Sequence, residues 1–254
     1  MEPILYERIF RLQKTHWWYR SRQRFLDVLL RKLPKGGLVL DAGCGPGSML
    51  HYFGRYGEVV GVDRYAPALT MARSHFSGPL LLGECRSLPF AAGSFALVAA
   101  CEVLYHRNVP DVGEVVRELV RVLQPGGRLL LVDSAYSGCY SAHDVTAHGT
   151  RRFTRGELVA AMQDAGLEDI CSTYAYALLL PIVWLLRRFK SLFGISEEPG
   201  GELQGTWGLL NSLVIRWFAL EAAMAGRWGL PFGLSIQVLG RKPEVLGPIA
   251  GGGR

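Results

Sequence analysis

Long uninterrupted apolar stretches are scarce in this chain. The run Tyr174–Leu186 falls short of the ~20 residues that a spanning helix needs, and Pro181 sits inside it, where an interruption is expected. The N-terminus has Glu2 and Arg8 where a secretory leader would be apolar, so no signal peptide is expected. Cysteines are few and irregular. The five, at 44, 85, 101, 139 and 171, lack metal-type spacing. An odd, scattered set favours reduced thiols, a cytoplasmic protein and no metal site. Charge is unbalanced but not concentrated. The net +6 suggests anionic partners, yet Lys and Arg are spread along the chain. No basic stripe interleaves with aromatics, so nothing supports nucleic-acid binding.

What is present is organised around Gly37-Leu38-Val39-Leu40-Asp41-Ala42-Gly43-Cys44-Gly45-Pro46-Gly47. Leu38, Val39 and Leu40 read as a strand covered on both faces. Three alternate glycines let the backbone turn tightly and approach a ligand. A helix from about Ser48 to Tyr56 is expected to aim its N–H groups at that ligand. Asp63 ends the next apolar run, where a carboxylate can receive both hydroxyls of a ribose. A dinucleotide site would have a third glycine at position 48, but Ser48 stands there. Asp41 would repel a pyrophosphate and attract a cationic amino-acid group.

The pattern Asp41-x-Gly43-x-Gly45-x-Gly47 resembles motif I of the class I S-adenosylmethionine methyltransferases. Gly83-Glu84-Cys85, followed by Leu88-Pro89-Phe90, is similar to the family's G-D-A-x-x-L-P-F segment, whose acid receives the adenine amino group. Glu84 stands for that aspartate and Cys85 for the alanine. Glu102, two apolar residues and Tyr105-His106 resemble the segment that ends strand 4. The family's N-P-P-[YFW] loop is missing, which argues against methylation of DNA adenine or protein glutamine. An apolar helix and Pro125-Gly126-Gly127 resemble the closing part of a Methyltransf_11-like core. The run His16-Trp17-Trp18-Tyr19, with Arg22 three residues on, looks like the start of a bacterial group linked with cell-surface glycan and lipid pathways. The resemblance covers about residues 1–175.

It implies S-adenosylmethionine as cofactor. Asp41, Gly43, Cys44, Gly45, Gly47, Asp63, Arg64, Glu84, Cys85 and Cys101 are assigned to it. Trp17 and Arg20, or Arg22, either form a lid over it or pack as a helical cap. His106 either orients substrate or caps the chain locally. In the loop after strand 5, His143 and His148 flank an acid-containing stretch. They could include a general base, or the loop could merely fix the chain.

The expected architecture is α/β: a doubly wound seven-stranded Rossmann-like sheet with an N-terminal helical cap and a helical insertion before the last strand. The expected divisions are 1–36 for the cap, 37–177 for the cofactor-binding core, 178–229 for the insertion, and 230–254 for the last strand and a frayed tail from Lys242. In the insertion, Leu210, Leu213, Val214, Trp217, Leu220 and Met224 share a helix side. Core packing, a homodimer interface, a lid and a peripheral membrane contact remain open for it. The expected function is methyl transfer to a small-molecule, glycan or lipid-linked acceptor, with O-methylation leading, in the cytoplasm or at the inner face of the membrane. A non-catalytic S-adenosylmethionine-binding or scaffolding protein is the alternative, and a nicotinamide oxidoreductase a weaker one.

Overall fold

The computed structural model describes residues 3–192 and 208–244. Two helices come first, α1 (Pro3–Leu12) and α2 (Trp17–Leu30). The strands are β1 (Leu38–Ala42), β2 (Glu58–Asp63), β3 (Leu80–Leu82), β4 (Phe95–Cys101), β5 (Leu123–Ser134), β6 (Glu168–Ala175) and β7 (Ser235–Arg241). Helices α3 (Leu50–Phe53), α4 (Ala66–Arg73), α5 (Val112–Val122), α6 (Ala142–Thr146) and α7 (Arg155–Asp164) lie among them. Two more, α8 (Leu179–Leu192) and α9 (Gly208–Trp228), fall between β6 and β7.

The strands form one sheet in the order β3-β2-β1-β4-β5-β7-β6, parallel except for β7, which runs against both neighbours. Winding reverses between β1 and β4, and in such sheets the ligand crevice opens at the carboxyl ends beside that reversal. Alternation along each strand divides the core in two. Leu40, Val98 and Leu129 belong to one apolar cluster, while Val39, Leu97 and Leu130 belong to the other.

Local chemistry sets most element ends. Asp111 caps α5 by accepting the Glu114 N–H, and Thr154 with Glu157 forms a capping box at α7. His16 caps α2 through Nδ1, which accepts the Trp18 N–H at 3.3 Å. The aromatic run is therefore the first turn of α2.

Three expectations need correction, and one segment takes a form that the sequence does not announce. The helix after the glycine turn is only Leu50–Phe53, because Gly45 and Gly47 hold φ of 54° and 86°, outside the helical region. A helix so short contributes little dipole. Pro181 does not interrupt α8; it occupies the first turn, where no N–H is required. Gln124-Pro125-Gly126-Gly127 is a bulge within β5, where pairing slips between Phe95↔Leu123 and Leu97↔Arg128. Lys242 is not frayed: its Nζ donates to the carbonyls of Val120 and Leu123 at 2.8 and 2.7 Å, closing the end of α5. The rest of the expected tail, residues 245–254, and residues 193–207 of the expected insertion lie outside the described residues.

The insertion docks on the N-terminal helices. Asn211 accepts the Trp17 N–H at 2.8 Å and donates to the Thr15 carbonyl. Glu221, 3 % exposed, accepts the Ala177 N–H at 2.6 Å. Phe218 stacks on Trp17 at 5.4 Å and meets Tyr176 edge-on at 5.0 Å, while Trp18 stacks on Tyr176 at 4.4 Å. The side of α9 carrying Leu210, Leu213, Trp217, Leu220 and Met224 faces outward, and only Val214 of the expected stripe packs inward. Truncation of Phe218 to Ala empties the centre of this aromatic cluster. It is expected to cost about 3–5 kcal/mol in urea unfolding; a loss below about 1 kcal/mol would mean that α9 docks outside the cooperative fold.

Candidate functional site

A cavity of about 840 Å³ opens at the carboxyl ends of β1, β2, β4 and β5. It lies in the upper part of the range for small-molecule sites, ~300–1,000 Å³, with room for a cofactor and a second reactant. Its floor is the glycine turn. Gly43 and Gly45 both have left-handed φ, and a Cβ on Gly43 would strike Val103 Cγ2 at 2.5 Å. A Cβ on Gly45 would meet only the ring of Tyr6, at 3.9 Å, so this backbone is open from above. Gly47 lies outside the wall and packs against Leu50, Ala72 and His75.

Asp63 ties the turn to β2. Its Oδ2 accepts the Gly45 N–H and its Oδ1 the Tyr65 N–H, each at 2.8 Å. Burial raises its pKa, and these hydrogen bonds work the other way. Beyond it, Arg64 and Arg86 both reach Glu84, at 3.4 and 2.7 Å. Tyr6 of α1 stacks on Tyr65 at 4.7 Å and covers this end.

A second carboxyl group lies behind the turn. Asp41 is 2 % exposed and outside the cavity wall, and its Oδ2 has no hydrogen-bond partner among the described residues. Burial, helped by Asp63, pushes it up to about 7, with Arg22 pulling the other way. Asp133, fully buried, accepts the N–H groups of Leu104 and Ser134 at 2.9 and 3.1 Å. Burial and then Glu102 push its pKa far up. One buried cation serves this group. Arg22 donates to Glu102 at 2.5 Å, and Ser134 Oγ donates to the other Glu102 oxygen at 3.1 Å. Glu102 holds φ at 57°, which turns the chain at the end of β4.

Of the two arginines weighed for the lid, Arg22 lines the cavity, while Arg20 is exposed and does not. The signal was available: Trp18, Arg22 and Leu26 recur every four residues on the inner side of α2, and Arg20 falls outside that spacing. Trp17 lines the cavity from the same helix.

Cys44, Cys85 and Cys101 also line the wall. Burial raises all three thiols, Cys85 to about 12, so none is a thiolate nucleophile near neutral pH.

His106, His143 and His148 all reach the cavity. His106 Nδ1 accepts the Asn108 N–H at 3.2 Å, which in the neutral ring puts the proton on Nε2. Burial lowers its pKa to about 4, aided by His148. His143 is different: its Nδ1 is buried with no partner among the described residues. The loop carrying it is locked by Asp144, whose two oxygens each receive Arg152 at 2.9 Å. Asp144 also closes a capping box with Ser141. The acid beside the histidines is thus part of the frame.

Arg152 belongs to the loop weighed for a substrate role, and α8, in the insertion weighed as a lid, supplies a wall through Leu179, Ile182, Val183, Leu186 and Arg187. Arg187 is held there by donating to the Cys139 carbonyl. Sequence reasoning missed Tyr6, which carries no local motif.

The site suits a cationic nucleoside ligand. The glycine floor is open, an acid ends β2, and three carboxyl groups, Asp41, Glu102 and Asp133, share the Arg22 guanidinium. Among the described residues, no three His, Cys, Asp or Glu side chains converge to hold a metal ion.

The methyltransferase-domain family Methyltransf_11 matches residues 40–131. A malonyl-[acyl-carrier protein] O-methyltransferase of Enterobacter lignolyticus is 30% identical over 186 residues, 68% of this chain and 71% of its own length. A 2-phytyl-1,4-naphtoquinone methyltransferase of Thermosynechococcus vestitus is 35% identical over 129 residues, 48% of this chain and 54% of its own. A solved S-adenosylmethionine-dependent methyltransferase from Archaeoglobus fulgidus shares the fold, with a TM-score of 0.59 at 15% identity over 94% of this chain and 99% of that one. The chain spans about half the length of the first curated relatives it matches.

The position of Asp41 has a pH signature. Its raised pKa means that the ligand-free fold keeps a proton which the unfolded chain releases near ~3.9. Its contribution therefore falls as pH rises from about 4 to about 7. Replacement by Asn removes that titration. Relative to wild type, ligand-free Asp41→Asn is expected to gain roughly 1–3 kcal/mol between about pH 5 and pH 8. Parallel stability curves for the two proteins would show that Asp41 titrates normally.

Proposed function

The chain belongs to the class I S-adenosylmethionine-dependent methyltransferases, and on that premise we propose that it methylates a hydroxyl of a small-molecule, glycan or lipid-linked acceptor. The observation that carries this reading is one cavity lined both by the glycine turn with Asp63 and by His143, whose buried Nδ1 has no hydrogen-bond partner among the described residues. The O-methyltransferase of Enterobacter lignolyticus, similar over two thirds of this chain, supports oxygen as the acceptor atom. Five unpaired cysteines suit a reducing cytoplasm.

In this reading, Gly43, Cys44 and Gly45 cradle the cofactor through their backbone, with Gly47 shaping the turn. Asp63 receives the ribose hydroxyls with the lone pairs that its two N–H donors leave. Glu84, flanked by Arg64 and Arg86, stands with Cys85 at the adenine end. Glu102 provides the negative charge for the methionine ammonium and sulfonium, with Asp41 and Asp133 behind it ionising as the bound cation favours their charged forms, and Cys101 lines that end. Arg22 neutralises part of the field and offers a donor to the carboxylate. Tyr6 and Trp17 exclude water.

S-Adenosylmethionine, when bound, supplies a methyl group already activated by its positive sulfur, so alignment is most of the catalysis. His143 Nδ1 takes the acceptor's hydroxyl proton as the oxygen–carbon bond forms and the carbon–sulfur bond breaks. His106, neutral with its proton on Nε2, donates a hydrogen bond and orients the acceptor. His148 borders the same space.

Mass spectrometry of cell extracts incubated with methyl-labelled S-adenosylmethionine tests the activity: a labelled hydroxyl product is expected, and label on nitrogen or carbon alone would remove the O-methylation reading. Two variants test the roles. His143→Ala should lower turnover by roughly 10²–10⁴-fold while leaving cofactor affinity unchanged in calorimetry. Wild-type turnover would return the histidine to the frame of the loop. Asp63→Ala, still folded, should weaken S-adenosylmethionine binding by roughly 1.5–3 kcal/mol, and unchanged affinity would take it out of the ribose site.

A further inference from the structure

The two helices between β6 and β7 carry apolar surface that the fold does not use. On α9, Leu210, Leu213, Trp217, Leu220 and Met224 recur at three- and four-residue spacing and are 54, 61, 55, 67 and 51 % exposed. The buried side of the same helix is occupied by Phe218, Ala222 and Ala225. On α8, Leu185 is 64 % exposed. Five residues recurring on one helix side make a continuous stripe, whereas scattered exposed leucines would be ordinary surface.

Among the described residues of α8 and α9, the exposed charges have one sign. Arg188, Arg216 and Arg227 are exposed, and Arg216 and Arg227 lie along one edge of the α9 stripe on the helical wheel. Glu221 is the one acid in either helix, and it is buried against the Ala177 N–H. A two-fold contact between two copies would bring together two surfaces of the same positive sign. An anionic bilayer complements them, and an interfacial helix of this character lies in the headgroup plane. By length and composition α9 could cross a membrane. Its inner side is committed to the protein, however, through Asn211, Phe218 and Glu221.

A second observation joins the surface to the cavity. Ile182 and Leu186 of α8 are 53 and 55 % exposed, yet both line the cavity. The apolar exterior and the interior of the site meet at these two side chains.

We infer that the outer sides of α8 and α9 rest on an anionic lipid bilayer, and that an acceptor with an apolar tail enters the cavity from that bilayer past Ile182 and Leu186. The entry route rests on the methyl-transfer reading; the lipid contact does not. The acceptor class is an amphiphile whose hydroxyl-bearing head reaches the site while its tail stays in the apolar mouth.

Flotation of the full chain with vesicles tests the contact. Binding to phosphatidylglycerol vesicles at low salt is expected, with loss at high salt and little binding to phosphatidylcholine alone. The double variant Leu213→Asp/Trp217→Asp should reduce the floated fraction at least tenfold, while its thermal unfolding and its S-adenosylmethionine affinity match wild type. Neither residue lines the cavity. Absence of flotation on phosphatidylglycerol, or a dimer in sedimentation equilibrium that the double variant dissociates, overturns the lipid contact. For the entry route, label from methyl-labelled S-adenosylmethionine is followed into total lipid extract held in phosphatidylglycerol vesicles or dispersed in detergent. The double variant should lose incorporation from vesicles and keep it from detergent. Equal incorporation by both proteins from vesicles, or none from either form, overturns the route. Flotation without any S-adenosylmethionine binding would keep the lipid contact and remove the methyl-transfer premise.

Discussion

The guanidinium of Arg22 holds three parts of the molecule together. It projects from α2 onto Glu102 at the end of β4, and Glu102 receives Ser134 at the end of β5. The helix so fixed carries Trp17, which anchors α9 through Asn211 and Phe218. The sheet, the N-terminal helices and the insertion therefore meet around one ion pair, with side chains 8 and 22 % exposed. Removing one member of such a pair strands the other, at a cost of about 3–5 kcal/mol. The pair is also part of the cavity wall, so the contact that orients α2 shapes the site.

The electrostatics of the cavity follow from the same arrangement. Asp41, Asp63, Glu102 and Asp133 are gathered by strand ends that topology brings side by side; Arg64 stands by Asp63, and Arg22 alone serves the other three. Burial then works against ionisation at Asp41, Asp63 and Asp133. Carboxyl groups held short of positive charge give a cationic ligand something to gain that water does not supply. The neutral cysteines of the wall contribute shape and polarizable contact.

Much of this was legible in the sequence where the determinants are local. The strand Leu38–Ala42, the glycine turn, Asp63 at a strand end and the capping box at Thr154 each follow from residues a few positions apart. Two kinds of feature were not. Some depend on which way a side chain points: Arg22 and Arg20 have the same chemistry, and only their phase on α2 separates them. Others depend on partners far along the chain, as when Arg152 claims Asp144 and leaves His143 alone on the cavity, or when α8 closes a wall begun by α1. The outer stripe of α9 was visible as amphipathic spacing. Its direction was not, because the helix has two apolar sides and the aromatic cluster around Phe218 takes the other one.

The placement of β7 has a consequence for biosynthesis. The first four strands find their neighbours early, but β6 has no partner in the sheet except β7, and one edge of β5 waits for the same strand. Between β6 and β7 the ribosome must deliver α8 and α9, whose apolar sides add to the burden. During that interval the nascent chain carries two open strand edges and uncapped carbonyls at the end of α5, which close only when Lys242 arrives. Open edges are templates for pairing with other chains. The span from residue 176 to residue 241 is thus the stretch of synthesis during which these strand edges wait for β7.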